Sequence, residues 1–287
     1  MFFFIRHVTS YDFSGSVFLE PHTLLLFPRC DGTQKILNHD LNITPAPAGL
    51  SRGLDIWGNS FALAWFNGQH RHLQIDSSIR IETLRDNPFD YYLPEQSTVM
   101  PISLRAHERA ALGSSLERLS TPEEDTDSIS SIAEFFLKST HNNTLSFLAA
   151  LNAWLFNNFK RVERSKPGII NPPDLMRSKT GSCRDLAVLF VEICRVSGIP
   201  ARLVSGYQEG DPDISEAELH AWAEVYLPGA GWRGYDPTHG LVVADRHIPL
   251  AAAPEPEHTL PVSGTFRGTG IFSRIEHQVT MTVSSQA

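Results

Sequence analysis

A cysteine near the middle of the chain lies where a reactive thiol could form. Cys183 follows two small residues, Gly181 and Ser182, and precedes apolar residues at helical spacing. These apolar positions are Leu186, Leu189, Phe190, Ile193 and Cys194. Gly198 and Pro200 are typical of a helix end. A helix that carries these apolar positions and ends there is predicted to have Cys183 in its first turn. Unpaired N–H groups there lower a thiol's pKa and can stabilise the oxyanion of acyl transfer.

The other two cysteines lack this setting. Cys194 lies on the apolar stripe, which favours core packing, and Cys30 has no evident partner. An inert Cys183 is the alternative interpretation, because most cysteines are unreactive. The assignment therefore depends on finding a base.

A thiolate nucleophile needs a base, and the local pattern favours one of the twelve histidines. Residues 220–227 alternate His, Trp, Glu and Tyr with Ala, Ala, Val and Leu, which predicts a strand with its alanine and valine face buried. Residues 228–231 then reverse the chain into a strand that ends at Asp236. A carboxylate there could orient one nitrogen of His220 and leave the other facing the thiol. A surface histidine is the alternative.

The length of the hairpin connection decides whether His220 and Asp236 share a face. A regular four-residue loop would place Asp236 opposite Ala223, on the wrong face. Pairing with Trp222 instead would make Asp236 a diagonal neighbour of His220, about 7–8 Å away by Cα. We therefore predict an odd-length connection centred near Gly229, or a bulge, with a glycine at an unusual φ.

Four sequence blocks, in this order, resemble the transglutaminase-like superfamily. They are Gly-Ser-Cys-Arg-Asp-Leu-Ala at 181–187, Arg-Val-Ser-Gly-Ile-Pro-Ala-Arg-Leu-Val-Ser-Gly-Tyr at 195–207, His-Ala-Trp-Ala-Glu-Val-Tyr at 220–226 and Gly-Trp-Arg-Gly-Tyr-Asp-Pro-Thr at 231–238. Residues 5–11 and 87–91 resemble the N-terminal β region of the bacterial branch. The resemblance implies a papain-like core without metal or organic cofactor. It also implies that Cys183, His220 and Asp236 are the catalytic cysteine, histidine and aspartate.

Two departures from the family pattern follow Asp236. Residue 239 is His where bacterial relatives usually have Asn, and the stretch after Ile248 lacks the Gly-Arg-Asp segment common there. Both bear on substrate contacts rather than on the chemistry. The family's second oxyanion donor is usually a side chain upstream of the cysteine, which makes Asn171 the candidate, with packing in a loop as the alternative.

Composition restricts the class of protein. The 287 residues are 41% hydrophobic and 20% charged, as in a globular chain of one large or two ordinary domains. A net charge of -8 offers no broad cationic field, so we expect neither nucleic acid nor membrane as a partner. Three cysteines favour a reducing, cytoplasmic location. The apolar run at 1–5 is shorter than a signal-peptide core, and no stretch approaches the ~20 apolar residues of a membrane span.

The surrounding pattern predicts an α+β protein with an N-terminal antiparallel β domain and a papain-like core. Before residue 95 we predict a first strand at the N-terminus and others at 17–20, 23–27, 35–43, 60–66 and 70–84. Helices are predicted at 103–119, 128–139 and 144–159, with a capping-box sequence at 121–124, and strands at 201–207, 220–227 and 232–236. Four prolines argue against regular structure at 249–261, whereas 275–283 should return to the N-terminal sheet as a strand.

We therefore expect an N-terminal β domain at 1–95, a transglutaminase-like catalytic domain at 96–255 and a C-terminal extension at 256–287. The predicted function is cysteine-dependent acyl transfer on a peptide or other amide through a thioester, by a protease or amidase. The fold does not select the substrate. The acidic loop at 208–218 lacks the spacing of a calcium loop. The alternatives are a protein-glutamine cross-linking transglutaminase and a non-catalytic binding module on the same fold.

Overall fold

The computed structural model describes residues 1–119, 128–164, 168–210 and 218–284. The N-terminal strands are β1 (Phe2–Leu19), β2 (His22–Leu24), β3 (Gln34–Thr44), β4 (Gly49–Leu54), β5 (Ser60–Trp65) and β6 (His70–Thr83). The middle of the chain contains α1 (Ala106–Ala111), α2 (Ser128–Ser139), α3 (Thr144–Asn158), β7 (Lys160–Arg161), α4 (Pro172–Ser178), β8 (Thr180–Gly181), α5 (Cys183–Val196), β9 (Ala201–Gln208), β10 (Glu218–Leu227), β11 (Gly231–Asp236), β12 (Leu241–Val242) and β13 (His247–Ala253). The last strands are β14 (Val262–Ser263), β15 (Phe266–Arg267) and β16 (Ser273–Ser284).

The N-terminal region forms two antiparallel sheets. One has the order β15-β1-β6-β3 with β16 beside β1, and the other has the order β14-β2-β5-β4. Alternate residues of β1 and β6, including Phe3, Ile5, Ile79 and Ile81, are fully or almost fully buried, as the period of a strand requires. The terminal strand β16 pairs with β1 from Ser284 opposite Phe2 to Ser273 opposite Phe13, which confirms its predicted return to this sheet.

The core of the second half is a five-stranded antiparallel sheet of order β12-β11-β10-β9-β13, with α5 packed on β9 and β10. Helix α5 is buried on more than its apolar stripe. Glu192 is fully buried and accepts hydrogen bonds from the N–H of Leu119 at 2.8 Å and Nε of Arg118 at 3.2 Å. The nearly buried Arg195 donates to three backbone carbonyls, those of Glu117, Ala201 and Pro254. These partners are necessary because an unpaired buried charge costs several kcal/mol.

Among the elements that differ from the sequence predictions, three have a plain physical reason. The proline-containing stretch was predicted to be irregular, but it includes strand β13. Pro249 is tolerated because β13 is an edge strand with a bulge between Pro249 and Ala251. The helix predicted at 103–119 is only α1 followed by a 3-10 turn at Gly113–Ser115, because glycine and serine are weak helix formers. Strand β4 was not predicted because its side chains are mostly exposed and show no alternation.

Two sequence predictions fall outside the described residues, namely the capping box at 121–124 and most of the acidic loop at 208–218. Within the described ranges, no helix has both the length and the apolar character that crossing a membrane would require.

Candidate active site

The position of Cys183 depends on a buried carboxylate two residues further along α5. Asp185 is fully buried, and its Oδ2 accepts from the N–H and the hydroxyl of Ser182 at 2.8 and 2.6 Å. Its Oδ1 accepts from the N–H of Ile170 at 2.7 Å, and Arg164 donates to both oxygens. Although burial raises the pKa of Asp185, these bonds keep it below its usual value. The charged Asp185 therefore fixes the backbone from which Cys183 projects.

The hairpin has the predicted odd-length connection. Leu227 pairs with Gly231 and Ala223 with Tyr235, so three residues connect β10 to β11 and the register continues to Asp236 opposite Trp222. Gly229 and Gly231 have φ values of 89° and 74°, the left-handed region that glycine adopts without strain. The register prediction is confirmed, and His220 and Asp236 lie on one face of the sheet.

Asp236 accepts hydrogen bonds from three imidazoles on a single oxygen. Its Oδ2 lies 2.8 Å from Nε2 of His220, 2.8 Å from Nδ1 of His239 and 3.1 Å from Nε2 of His247. Burial raises the pKa of the fully buried Asp236, but these bonds hold it well below its usual range. Because an ionised carboxylate can only accept, each of the three nitrogens must carry hydrogen. The other nitrogen of His220, Nδ1, is therefore the one that can face a thiol.

The backbones of β9 and β13 approach each other closely, and this brings His247 to the Asp236 carboxylate. In β9, Gly206 lies between His220 of β10 and Pro249 of β13. A Cβ added to Gly206 would lie 2.2 Å from the carbonyl oxygen of Ile248 and 2.7 Å from the ring of Trp222. A larger residue would push β13 away, so the glycine permits the contact between His247 and Asp236.

The face of β10 that carries His220 is buried too, which corrects the prediction that only the alanine and valine face enters the core. Ala223, Val225 and Leu227 pack in the cluster that includes α5, as predicted. Trp222, however, is fully buried on the other face, against Val204 and Ala252. On this face Trp222 packs with residues of β9 and β13 and against Val243.

Cys183 and His220 shift each other's proton affinity. Burial raises the pKa of the Cys183 thiol, but interaction with the His220 ring, the N–H of Ala221 and the charge of Arg161 together lower it below its ordinary value. Burial lowers the pKa of His220, yet hydrogen bonds with Asp236 and Cys183 raise it to about 10. Because the pKa of His220 is raised while that of Cys183 is lowered, the pair favours a thiolate beside an imidazolium over a neutral thiol beside a neutral imidazole.

An open cleft of about 810 Å³ gives access to the half-buried Cys183. Its walls come from the segment 161–164, the start of α5, the part of β10 around His220, and residues 277–280 of β16. The terminal strand thus contributes to the cleft as well as to the N-terminal sheet. A volume of this size falls within the range of about 300–1,000 Å³ that is typical of ligand-binding clefts.

The predicted oxyanion residue precedes the first turn of α4. Asn171 is the N-cap of α4, makes no side-chain capping bond, and is not among the residues that line the cleft. Its Oδ1 is buried without a hydrogen-bond partner among the described residues. Its role in oxyanion stabilisation stays a prediction.

One group of side chains has the composition of a metal site. Nitrogen and oxygen atoms of His220, Asp236 and His247 lie within 4.8 Å of one another, and all three side chains are buried. Imidazole and carboxylate would suit a transition metal such as zinc. In the structure described here the same atoms form hydrogen bonds with each other.

Sequence reasoning missed the part that three residues play in the site, and one of them corrects a prediction: His239 was expected to bear on substrate contacts only, but its ring bonds Asp236 at 2.8 Å. His239 and His247 both bond Asp236, and Asp185 anchors the start of α5. A signal for Asp185 was available, because Ser182 and Asp185 have capping-box spacing before an apolar run. The contact of His247 depends on a strand that its prolines concealed.

A helix-borne cysteine beside a His–Asp pair on an antiparallel hairpin, next to an N-terminal β region, defines a transglutaminase-like protein. Residues 131–237 match the model of the transglutaminase-like superfamily, and residues 3–82 match that of the bacterial transglutaminase-like N-terminal region. The chain belongs to the bacterial branch of the transglutaminase-like superfamily. The first match includes Cys183, His220 and Asp236.

Individual proteins resemble this chain in sequence or in fold. The uncharacterized protein Rv2569c of Mycobacterium tuberculosis is 26% identical over 272 residues, covering 91% of this chain and 86% of that protein. A solved structure from Cytophaga hutchinsonii, described as a cysteine protease candidate, has a TM-score of 0.70 and 20% identity, covering 100% of this chain and 92% of that chain. Protein-glutamine gamma-glutamyltransferase of Pseudomonas aeruginosa is 35% identical over 72 residues, 23% of this chain and 11% of that protein.

The shifted pKa of Cys183 predicts selective alkylation. At about pH 6, iodoacetamide should modify Cys183 at least about tenfold faster than a free thiol of pKa ~8.5, because more of the thiol is ionised. Rates would be measured by peptide mass spectrometry in a Cys30→Ser protein, which removes the exposed competing thiol. Buried Cys194 should stay unmodified in the folded protein, since burial raises its pKa well above the usual value. Earlier reaction of Cys194, or an unshifted pH profile, would contradict the assignment.

Proposed function

We propose that the protein is a cysteine-dependent acyl-transfer enzyme that hydrolyses an amide bond, as a protease or amidase. Cys183 would be the nucleophile, His220 the base and Asp236 the residue that orients it. The observation that carries this proposal is the His220 ring, which bonds Asp236 at 2.8 Å and lowers the pKa of the cleft-lining Cys183. Buried groups with opposed pKa shifts at the wall of a cleft are typical of catalytic sites.

The reaction divides into acylation and deacylation. The Cys183 thiolate attacks the amide carbonyl, the His220 imidazolium protonates the leaving amine, and the C–N bond breaks to leave a thioester. Neutral His220 then takes a proton from water, which attacks the thioester, and the C–S bond breaks to release the acid and restore the Cys183 thiolate beside the His220 imidazolium. Asp236 keeps Nε2 of His220 protonated and Nδ1 available throughout.

Backbone groups at the start of α5 would stabilise the negative oxygen of both tetrahedral intermediates. Cys183 is the first residue of the helix, so its N–H has no partner within the helix. Donors aimed at a developing oxyanion typically contribute about 2.7–4 kcal/mol each. Asn171 remains the candidate for a second donor from a side chain.

Transamidation is a second candidate function, in which an amine rather than water resolves the thioester. It is supported by the 35% identity over 72 residues with protein-glutamine gamma-glutamyltransferase of Pseudomonas aeruginosa. The two functions share acylation and differ only in the second nucleophile. The matched segment covers 23% of this chain, which supports a shared core chemistry more than a shared acceptor.

One experiment tests both candidates with denatured casein as the probe substrate. We expect new peptide termini by mass spectrometry, and a mass increase on the Cys183 peptide that neutral hydroxylamine removes, as for a thioester. Addition of a fluorescent primary amine should leave cleavage dominant. Labelled casein without new termini would favour transamidation. A Cys183 that never becomes acylated, by casein or by a mixture of short peptide amides, would reject the acyl-transfer function.

We propose that the protein works in a reducing, cytoplasmic environment on a peptide or amide substrate. The support is the state of the three cysteines, which are all unpaired: Cys30 is exposed, Cys183 half-buried and Cys194 buried. An exposed thiol and a nucleophilic thiol in one chain are open to oxidation outside a reducing compartment.

A further inference from the structure

Arg184 lines the same cleft as its neighbour Cys183. Its side chain is half-buried, and its Nε is buried without a hydrogen-bond partner among the described residues. Two other arginines near the site have carboxylate partners: Arg164 has Asp185 at 2.6 Å, and Arg202 has Glu224 at 2.6 Å. Over the described part of the chain, Arg184 has no such ion pair.

The balance of charge in the cleft points to an anionic ligand. Three arginines, 161, 164 and 184, line it, whereas Glu163 is the single acidic residue among its described lining. Asp185 pairs with Arg164 and balances its charge. A buried donor left without an acceptor costs about 1–3 kcal/mol, and more when it is charged. Such a group at the wall of a cleft is explained if a ligand supplies the acceptor.

We propose that the substrate carries a carboxylate close to the scissile amide and that Arg184 binds it. This inference rests on the proposed function, because it takes Cys183 as the reacting group. Adjacent Cα atoms lie about 3.8 Å apart, and an extended chain advances about 3.3–3.6 Å per residue. An arginine next to the nucleophile therefore reaches a carboxylate within about two residues of the scissile bond.

The guanidinium geometry favours a carboxylate over a neutral amide. Its planar N–H groups match the two oxygens of a carboxylate, and such charge-assisted bonds are roughly twice as strong as neutral ones. The carboxylate could belong to an acidic side chain or to a peptide C-terminus. The substrate class is accordingly an acidic peptide or a peptide cleaved near its free carboxyl end.

Paired alkylating probes test this without knowledge of the substrate. Each iodoacetyl compound loses iodide as its CH₂ carbon bonds to sulfur, so the rate depends on binding near Cys183 and on the thiolate. Iodoacetyl-glycine against iodoacetyl-glycinamide tests a terminal carboxylate, and the iodoacetyl α-amides of Glu and Gln test a side chain. We expect the acid-to-amide rate ratio on Cys183 to exceed that of glutathione by about 10- to 100-fold for at least one pair.

Variants separate direct binding from general charge. Arg184→Gln should return the ratio to that of glutathione, and Arg184→Lys should restore part of it because the charge remains without the fork. Arg177→Gln is the matched control, since Arg177 is an exposed arginine paired with Asp174 outside the cleft lining. The Arg177→Gln protein should keep the wild-type ratio. Thermal denaturation checks that each variant is folded.

The failure of this inference differs from the failure of the proposed function. A wild-type ratio equal to that of glutathione for both pairs, or a raised ratio that persists in Arg184→Gln, would overturn the role of Arg184 while Cys183 still reacts rapidly with the neutral probes. Slow reaction with the neutral probes at about pH 6 would instead show that Cys183 is not activated, and would overturn both.

Discussion

Replacing Cys183 with alanine is expected to abolish amide hydrolysis, with a loss of at least about 10⁴-fold in kcat, while the protein stays folded. Without the thiol no thioester can form, and the remaining groups offer only binding and oxyanion stabilisation. The side chain is half-buried at a helix end, so its loss should change the free energy of unfolding by less than about 1 kcal/mol. Activity on casein, thermal denaturation and circular dichroism provide the measurements.

The other two cysteines provide matched controls for this substitution. Cys194→Ala should retain activity but lower stability by on the order of 1 kcal/mol, because Cys194 is fully buried in the core beside α5. Cys30→Ala should change neither, since Cys30 is exposed. Full turnover by the Cys183→Ala protein would reject the mechanism. Loss of turnover in Cys194→Ala at unchanged fold would reject the distinction between the cysteines.

Asp236→Asn is expected to reduce kcat by about 10³–10⁴-fold and to leave a measurable residual activity. The carboxylate keeps Nε2 of His220 protonated, whereas an amide can donate to that nitrogen and stabilise the opposite tautomer. The substitution also removes a hydrogen bond and a charge that raise the pKa of His220. The imidazolium would therefore be lost at lower pH, and the alkaline limb of the activity profile should move down from its wild-type position.

The measurements are pH profiles of kcat/KM together with nitrogen NMR of the His220 tautomer. Activity must be expressed per folded protein, because Asp236 is fully buried and accepts several hydrogen bonds. Asp174→Asn is the control, since this exposed aspartate pairs with Arg177 outside the cleft lining. An Asp236→Asn protein with the wild-type rate and pH profile would leave a Cys–His pair as the working unit.

Local geometry was the part of the site that the sequence could predict. If His220 and Asp236 are to share a face of the sheet, the hairpin loop must have an odd number of residues. The loop has three. The helix after Cys183 and the return of the last strand also followed from periodicity. These features depend on residues that are neighbours in the sequence or on the spacing of apolar and polar residues, and both can be seen in the sequence alone.

Contacts between segments that are far apart in the sequence could not be predicted from local patterns. His247 reaches Asp236 only because β13 pairs with β9, and the prolines of that stretch suggested irregular structure. The burial of Trp222 on the second face of β10 has the same cause. A proline at an edge strand or bulge is compatible with a sheet, but only the three-dimensional arrangement shows which strand is at the edge.

The pairing of β1 with β16 has a consequence for how the protein is assembled. Phe2 lies opposite Ser284, so a strand synthesised early in this sequence pairs with one synthesised much later. Closure of so long a loop costs entropy before any contact repays it, and such topologies fold slowly. Residues 277–280 of the late strand also form a wall of the cleft. During synthesis, the helix that carries Cys183 is therefore made before the strand that completes the cleft around it, and the cleft takes its final form only once residues 277–280 have been added.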